Sequence, residues 1–121
     1  MSKPLVKETF AKVLLYDSGA ELPLARKYVE AVLTNKKKST IREGVLLFSP
    51  DCQVFLRSSA DTARVPVTIV GCVTKLVKHL TLRDAREDGF GTRDALISEM
   101  HQYYPSLGDD SLVTIVKFRL A

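Results

Sequence analysis

No apolar run in this chain approaches the ~20 residues that a membrane-spanning helix needs, and the opening MSKPLVKETF lacks the apolar stretch of a secretory signal. The expected location is therefore the cytoplasm, and no membrane partner is expected. Cysteine is scarce. Cys52 and Cys72 stand far apart and no CxxC occurs, which argues against a disulfide framework or a zinc site. Both are expected as small buried hydrophobes. Histidine is equally scarce: His79 and His101 have no metal-ligand spacing to the cysteines. No metal and no cofactor are expected, and both histidines read as surface or partly buried structural residues. Internal repeats, low-complexity tracts and linkers are missing too.

What is present is ordinary globular chain. Its 121 residues are 45% hydrophobic and 26% charged, enough to bury a real core within one domain. Residues 1–10 read as an N-terminal arm and 11–121 as a single domain. The net charge of +4 is suggestive of an anionic partner, and its distribution says more. Between Arg26 and Arg42 six Lys/Arg stand against the single acid Glu30. Between Thr81 and Asp110 the balance reverses, with Arg83, Arg86 and Arg93 against seven acids, among them Asp84, Glu87, Asp88 and Glu99. The plainer reading is two solvated faces; the sharper one is two segments that meet across a cleft.

The pattern predicts a short strand in AKVLLYD and a helix over ELPLARKYVEAVLTN, with Pro23 in its first turn and Asn35 as its stop. STIRE, GVLLFS and CQVFLRS read as strands. So does the long VPVTIVGCVTKLVKHL, where Gly71 marks a bulge. TLRDAREDG reads as a helix capped by Thr81 and ended by Gly89, and TRDALISEMHQYY as a second, capped by Thr92. SLVTIVKFRL closes the chain as an alternating strand. The expected class is α+β, a small β-barrel of five to six strands with two to three flanking helices.

The stretch NKKKSTIREG, Asn35 to Gly44, raises the chemical question. Cations at a helix C-terminus are favourable by themselves, worth about 0.3–1 kcal/mol. Three consecutive lysines exceed what such capping needs. The following strand puts Thr40 and Arg42 on one face, a hydroxyl and a guanidinium suited to a phosphate, a carboxylate or a polar base edge. Crowded lysines also depress one another's pKa, and a neutral lysine near Thr40 would form a nucleophile pair. Glu87 or Asp88 in RDAREDGF would supply an acid. Strict alternation places Lys38 on the face of Thr40 and Arg42, and Lys37 reaches it only if the chain turns at the helix–strand junction.

LTNKKKSTIREG, then LTLRDAREDGFGTRDALISEMHQYYP and a terminal VTIVKFRL, resemble in their order the ASCH domains, small relatives of the PUA RNA-binding fold. The resemblance runs from about Leu22 to the C-terminus. It implies a PUA-like β-barrel with a basic cleft that binds RNA or nucleotides. Some bacterial members with a K-x-x-T-I-R segment are amidohydrolases that remove the acetyl group of N4-acetylcytidine. Carried over, their lysine falls on Lys37, their threonine on Thr40 and their glutamate on Asp88, with Glu87 adjacent. Asn35 replaces a usual glycine, and Glu43-Gly44-Val45 replaces a common glycine-aspartate pair.

The expected function is thus binding of RNA, a nucleotide or a modified nucleoside in a cleft lined by Lys37, Thr40 and Arg42, with Lys36 and Lys38 as further ligand-binding residues. The alternative is N4-acetylcytidine amidohydrolysis by Lys37, Thr40 and Asp88 or Glu87. A third reading, RNA cleavage in the same cleft, lacks a histidine pair. Tyr28, Phe90 and Tyr103 are the aromatics available to stack a base, and each is expected in the core instead.

Overall fold

The computed structural model describes residues 6–8, 13–58 and 60–121. Eight strands run β1 (Val6–Glu8), β2 (Val13–Tyr16), β3 (Glu21–Leu24), β4 (Ser39–Glu43), β5 (Val45–Phe48), β6 (Gln53–Ser58), β7 (Arg64–Leu76) and β8 (Leu112–Leu120). Three α-helices accompany them among the described residues: α1 (Val29–Leu33), α2 (Leu82–Glu87) and α3 (Arg93–Tyr103). The expected N-terminal arm lies mostly outside the described residues; of it, Val6–Glu8 pairs antiparallel with β2.

The α+β class is as expected, with more strands than the sequence predicted and a different closure. The strands form a three-stranded sheet, β1-β2-β5, and a five-stranded sheet, β3-β6-β7-β8-β4. Among the described residues no backbone ladder joins the outer strands β3 and β4 into a closed ring. A side chain spans the seam instead: the Arg42 guanidinium of β4 donates to the Pro23 carbonyl of β3.

Glu21–Leu24 is strand, not the first turn of a helix. Leu22 and Leu24 are buried while Glu21 and Pro23 are exposed, which is the period of two of a half-buried strand. Pro23 is tolerated because β3 is an edge, parallel to β6. The helical part shrinks to a 3-10 turn at Arg26–Tyr28 and the five residues of α1. Gly71 sits where the β7–β8 register slips, as expected of a bulge. In β8, Val113, Thr114, Ile115 and Val116 are all buried, so the predicted alternation fails. The strand has core on both faces.

One core cluster, with Leu22, Leu46, Leu56, Val67 and Val116, lies between the sheets. A second, with Ile41, Val77, Leu96, Met100 and Ile115, seats α2 and α3 on the five-stranded sheet. Cys52 is fully buried as expected, but Cys72 is only partly so, beside the bulge. His79 is exposed, and the His101 ring pairs with the Leu107 carbonyl at 3.0 Å. No described helix is long and apolar enough to cross a membrane.

Candidate ligand pocket

The seam between β3 and β4 opens into a cavity of about 430 Å³, roofed by α3 and by the end of α2. That size falls in the range of small-molecule sites. The residues reach it through two sharp turns.

The first turn follows α1. Asn35 takes φ +60°, a left-handed conformation that asparagine tolerates better than most residues. The amides of Lys36 and Lys37 then both bond back to the Ala31 carbonyl, at 2.9 and 3.0 Å. Alternation therefore breaks at this hinge. Lys37 turns inward and is buried, while Lys36 and Lys38 stay exposed. Lys37, not Lys38, shares the cavity with Thr40 and Arg42.

The second turn ends α2. Thr81 and Asp84 form a capping box at its start, and Gly89 reverses the chain at φ +94°. This fold-back lays α2 against the lysine hinge: the Lys38 amide donates to the Glu87 carbonyl at 2.7 Å. It also drives Asp88 into the interior.

Lys37 Nζ lies 3.0 Å from Asp88 Oδ1, with side-chain exposures of 5% and 6%. It also donates to the Asp88 backbone carbonyl at 3.1 Å, and Ser39 Oγ donates to Asp88 Oδ1 at 3.2 Å. Burial pulls the Lys37 pKa down and pushes the Asp88 pKa up; their mutual attraction opposes both shifts without reversing either. The lowering expected from lysine crowding thus has another cause, desolvation. Thr40 is held differently: Arg42 Nε donates to its hydroxyl at 2.9 Å. Lys37 gives its ammonium to Asp88, so the expected Lys–Thr pair shares the cavity without that hydrogen bond.

Glu87 does not join the site. Its carboxylate turns outward to Arg83 at 3.3 Å and Lys117 at 3.7 Å. Of the two candidate acids only Asp88 lines the cavity.

The basic and acidic segments do meet. Besides Lys37–Asp88, Lys27 Nζ pairs with Glu99 Oε1 at 2.8 Å. Glu99 lines the cavity from α3 and was not singled out in the sequence. A signal for it existed: it sits among Leu96, Met100 and Tyr103 at helical spacing, a carboxylate inside an apolar stripe. Of the aromatics expected in the core, Tyr28 and Phe90 do pack against it, each with one face left to the cavity, whereas Tyr103 does not. Tyr28 and Phe90 are half-buried and Tyr103 is 53% exposed, and all three line the cavity. Tyr28 meets Phe90 edge-on at 6.1 Å, and the ammonium groups of Lys27 and Lys37 each lie 5.1 Å from the Tyr28 ring centre. Among the described residues no three His, Cys, Asp or Glu side chains gather as a metal ion would require.

Comparison with protein-family models gives no match, and comparison with curated proteins gives none. Comparison with solved structures does. The crystal structure of an ASCH domain from Lactobacillus crispatus JV V101 superposes with a TM-score of 0.68 at 14% identity, covering 85% of this chain and 79% of that one. A protein of the DUF984 family from Enterococcus faecalis V583 superposes with a TM-score of 0.65 at 12% identity, covering 76% of this chain. This chain spans 65% of that protein, just under two thirds of its length. At such identities the likeness is one of fold.

Proposed function

From the ASCH-domain fold that this chain has, we propose that it binds RNA, a nucleotide or a modified nucleoside, with one base in the cavity between β3 and β4. The observation that carries this reading is the pairing of Tyr28, Phe90 and Tyr103 with Lys37, Thr40 and Arg42 in one concave site of base-compatible size. Aromatic faces accept any base by stacking, and the polar group around Lys37 supplies direction. Lys36 and Lys38, exposed beside the hinge, extend positive charge outside the cavity, where a phosphate backbone would lie. In the test, isothermal titration with nucleosides and with a short single-stranded RNA shows binding to wild type. That binding is lost in Lys37→Ala/Arg42→Ala. A wild type that binds neither class of ligand removes the reading.

A second reading is favoured by the buried pair. As an amidohydrolase of N4-acetylcytidine, the site needs a neutral amine as base and a protonated carboxyl as acid. Burial pushes Lys37 and Asp88 toward those forms. In this reading Lys37 takes the Thr40 proton and the Thr40 oxygen attacks the acetyl carbonyl. Arg42 stabilises the oxyanion, and Asp88 protonates the departing cytidine amine. Water then releases acetate from Thr40. Incubation with N4-acetylcytidine and chromatography decides the matter: cytidine is released by wild type and not by Lys37→Ala. Binding without release leaves the first reading alone.

A further inference from the structure

The cavity has a second polar pole that neither reading uses. Glu99 Oε1 is shut off from solvent, and Lys27 Nζ pairs with it at 2.8 Å. Lys27 is 56% exposed and so approaches from the rim. The nearby Lys27 ammonium, and then the Tyr28 hydroxyl, hold the Glu99 pKa below the usual range. Near neutral pH the group is thus ionised and can only accept. An ionised carboxylate offers about four acceptor sites, so these partners leave Glu99 able to take a further donor from the cavity it lines. As an ammonium and a guanidinium, Lys37 and Arg42, entering the same cavity from the β4 side, can only donate.

Resting on the base-binding reading above, we propose that Glu99 selects the ligand: the site takes an amino-bearing nucleobase whose exocyclic N–H donates to Glu99 Oε1 while a ring carbonyl accepts from Lys37 or Arg42. Cytosine and guanine each carry an amino group at one end of their hydrogen-bonding edge and a carbonyl at the other. Carboxylates are established acceptors for the cytosine amine. Uracil carries a carbonyl at both ends, and one of them would face the ionised Glu99.

The test measures binding of cytidine, guanosine and uridine to wild type and to Glu99→Gln. Wild type is expected to prefer cytidine or guanosine over uridine by about tenfold or more. Glu99→Gln, whose amide both accepts and donates, is expected to bring the ratio to within about twofold. A Glu99 that merely anchors Lys27 would weaken all three ligands by one common factor in Glu99→Gln and leave the ratio unchanged, which overturns the assignment. Should Glu99→Gln fail to fold, N4,N4-dimethylcytidine answers on wild type alone. It has no exocyclic N–H, and binding as tight as cytidine's overturns the proposal, whereas a fall to the uridine level supports it. Equal wild-type binding of the three nucleosides removes Glu99 selection but leaves base binding standing; binding of none removes both.

Discussion

The ammonium of Lys37 and the carboxylate of Asp88 meet at 3.0 Å inside the protein, both side chains nearly free of solvent. Two charges so placed are costly to desolvate, and each is tolerable only because the other is there. Removing one partner, in Lys37→Met or Asp88→Asn, should lower stability by about 3–5 kcal/mol. The double variant Lys37→Met/Asp88→Asn should lose clearly less than the sum of the two. Urea denaturation of the four proteins checks this, and additive losses would mean the pair is not coupled.

Asp84 gives the pH dependence. Burial raises its pKa, but Lys75 Nζ at 2.8 Å and the Thr81 amide at 2.9 Å outweigh that and bring the net shift below the ordinary carboxylate value. A depressed folded pKa contributes stability that is present above the unfolded value, about 3.9, and is lost as pH falls through the folded one. Wild type should therefore lose stability on acidification below about pH 4. Asp84→Asn should be less stable at pH 7 and show a shallower loss over the same acid range. Denaturation midpoints between neutral and acid pH give the comparison.

The lysine run divides by exposure. Lys36 and Lys38 are exposed and Lys37 is buried, so the outer two should act on phosphates and the inner one on the base. Lys36→Ala and Lys38→Ala should each reduce the slope of log affinity for RNA against log salt by about 1 or slightly less. Each should leave nucleoside affinity within about twofold. A fall in nucleoside affinity as large as that in Lys37→Ala would contradict this division.

Gly89 is where α2 turns back over the lysine hinge. Its φ of +94° suits glycine, and a Cβ there would stand 3.5 Å from Lys37 Cβ. Contact is ordinary but the backbone is strained, so Gly89→Ala should cost about 1–2 kcal/mol. Because Asp88 is the adjacent residue, ligand binding should weaken with it. Full retention of both stability and binding would show that the turn does not place the acid.

Much of this architecture was legible in the residues. The strand signals of STIRE, GVLLFS and CQVFLRS, the bulge at Gly71 and the caps at Thr81 and Thr92 are local, and local chemistry decides them. The segment from Glu21 was misread because Leu24, Tyr28, Ala31 and Val32 imitate a helical stripe, while the Glu21–Leu24 alternation that decides it is only four residues long. The position of Lys37 depended on a left-handed Asn35 that asparagine permits but does not demand. Asp88 was one of two acids offered by RDAREDGF, and the resemblance to ASCH domains favoured it; its burial arises from a long-range contact with the hinge that no window of sequence contains. Glu99 was missed because its neighbours in space, Lys27 and Tyr28, are far away in the chain.

The outer strands β3 and β4 are linked through the Arg42 guanidinium and the Pro23 carbonyl rather than through a ladder. Such a junction can breathe without tearing any paired strands apart. A molecule lodged in the gap would act as a wedge that stills it, and amide hydrogen exchange should slow along Ser39–Glu43 while the distant β1–β2 pair keeps its rate. The protein thereby carries a built-in reporter of occupancy, readable even for a ligand whose chemistry was never guessed.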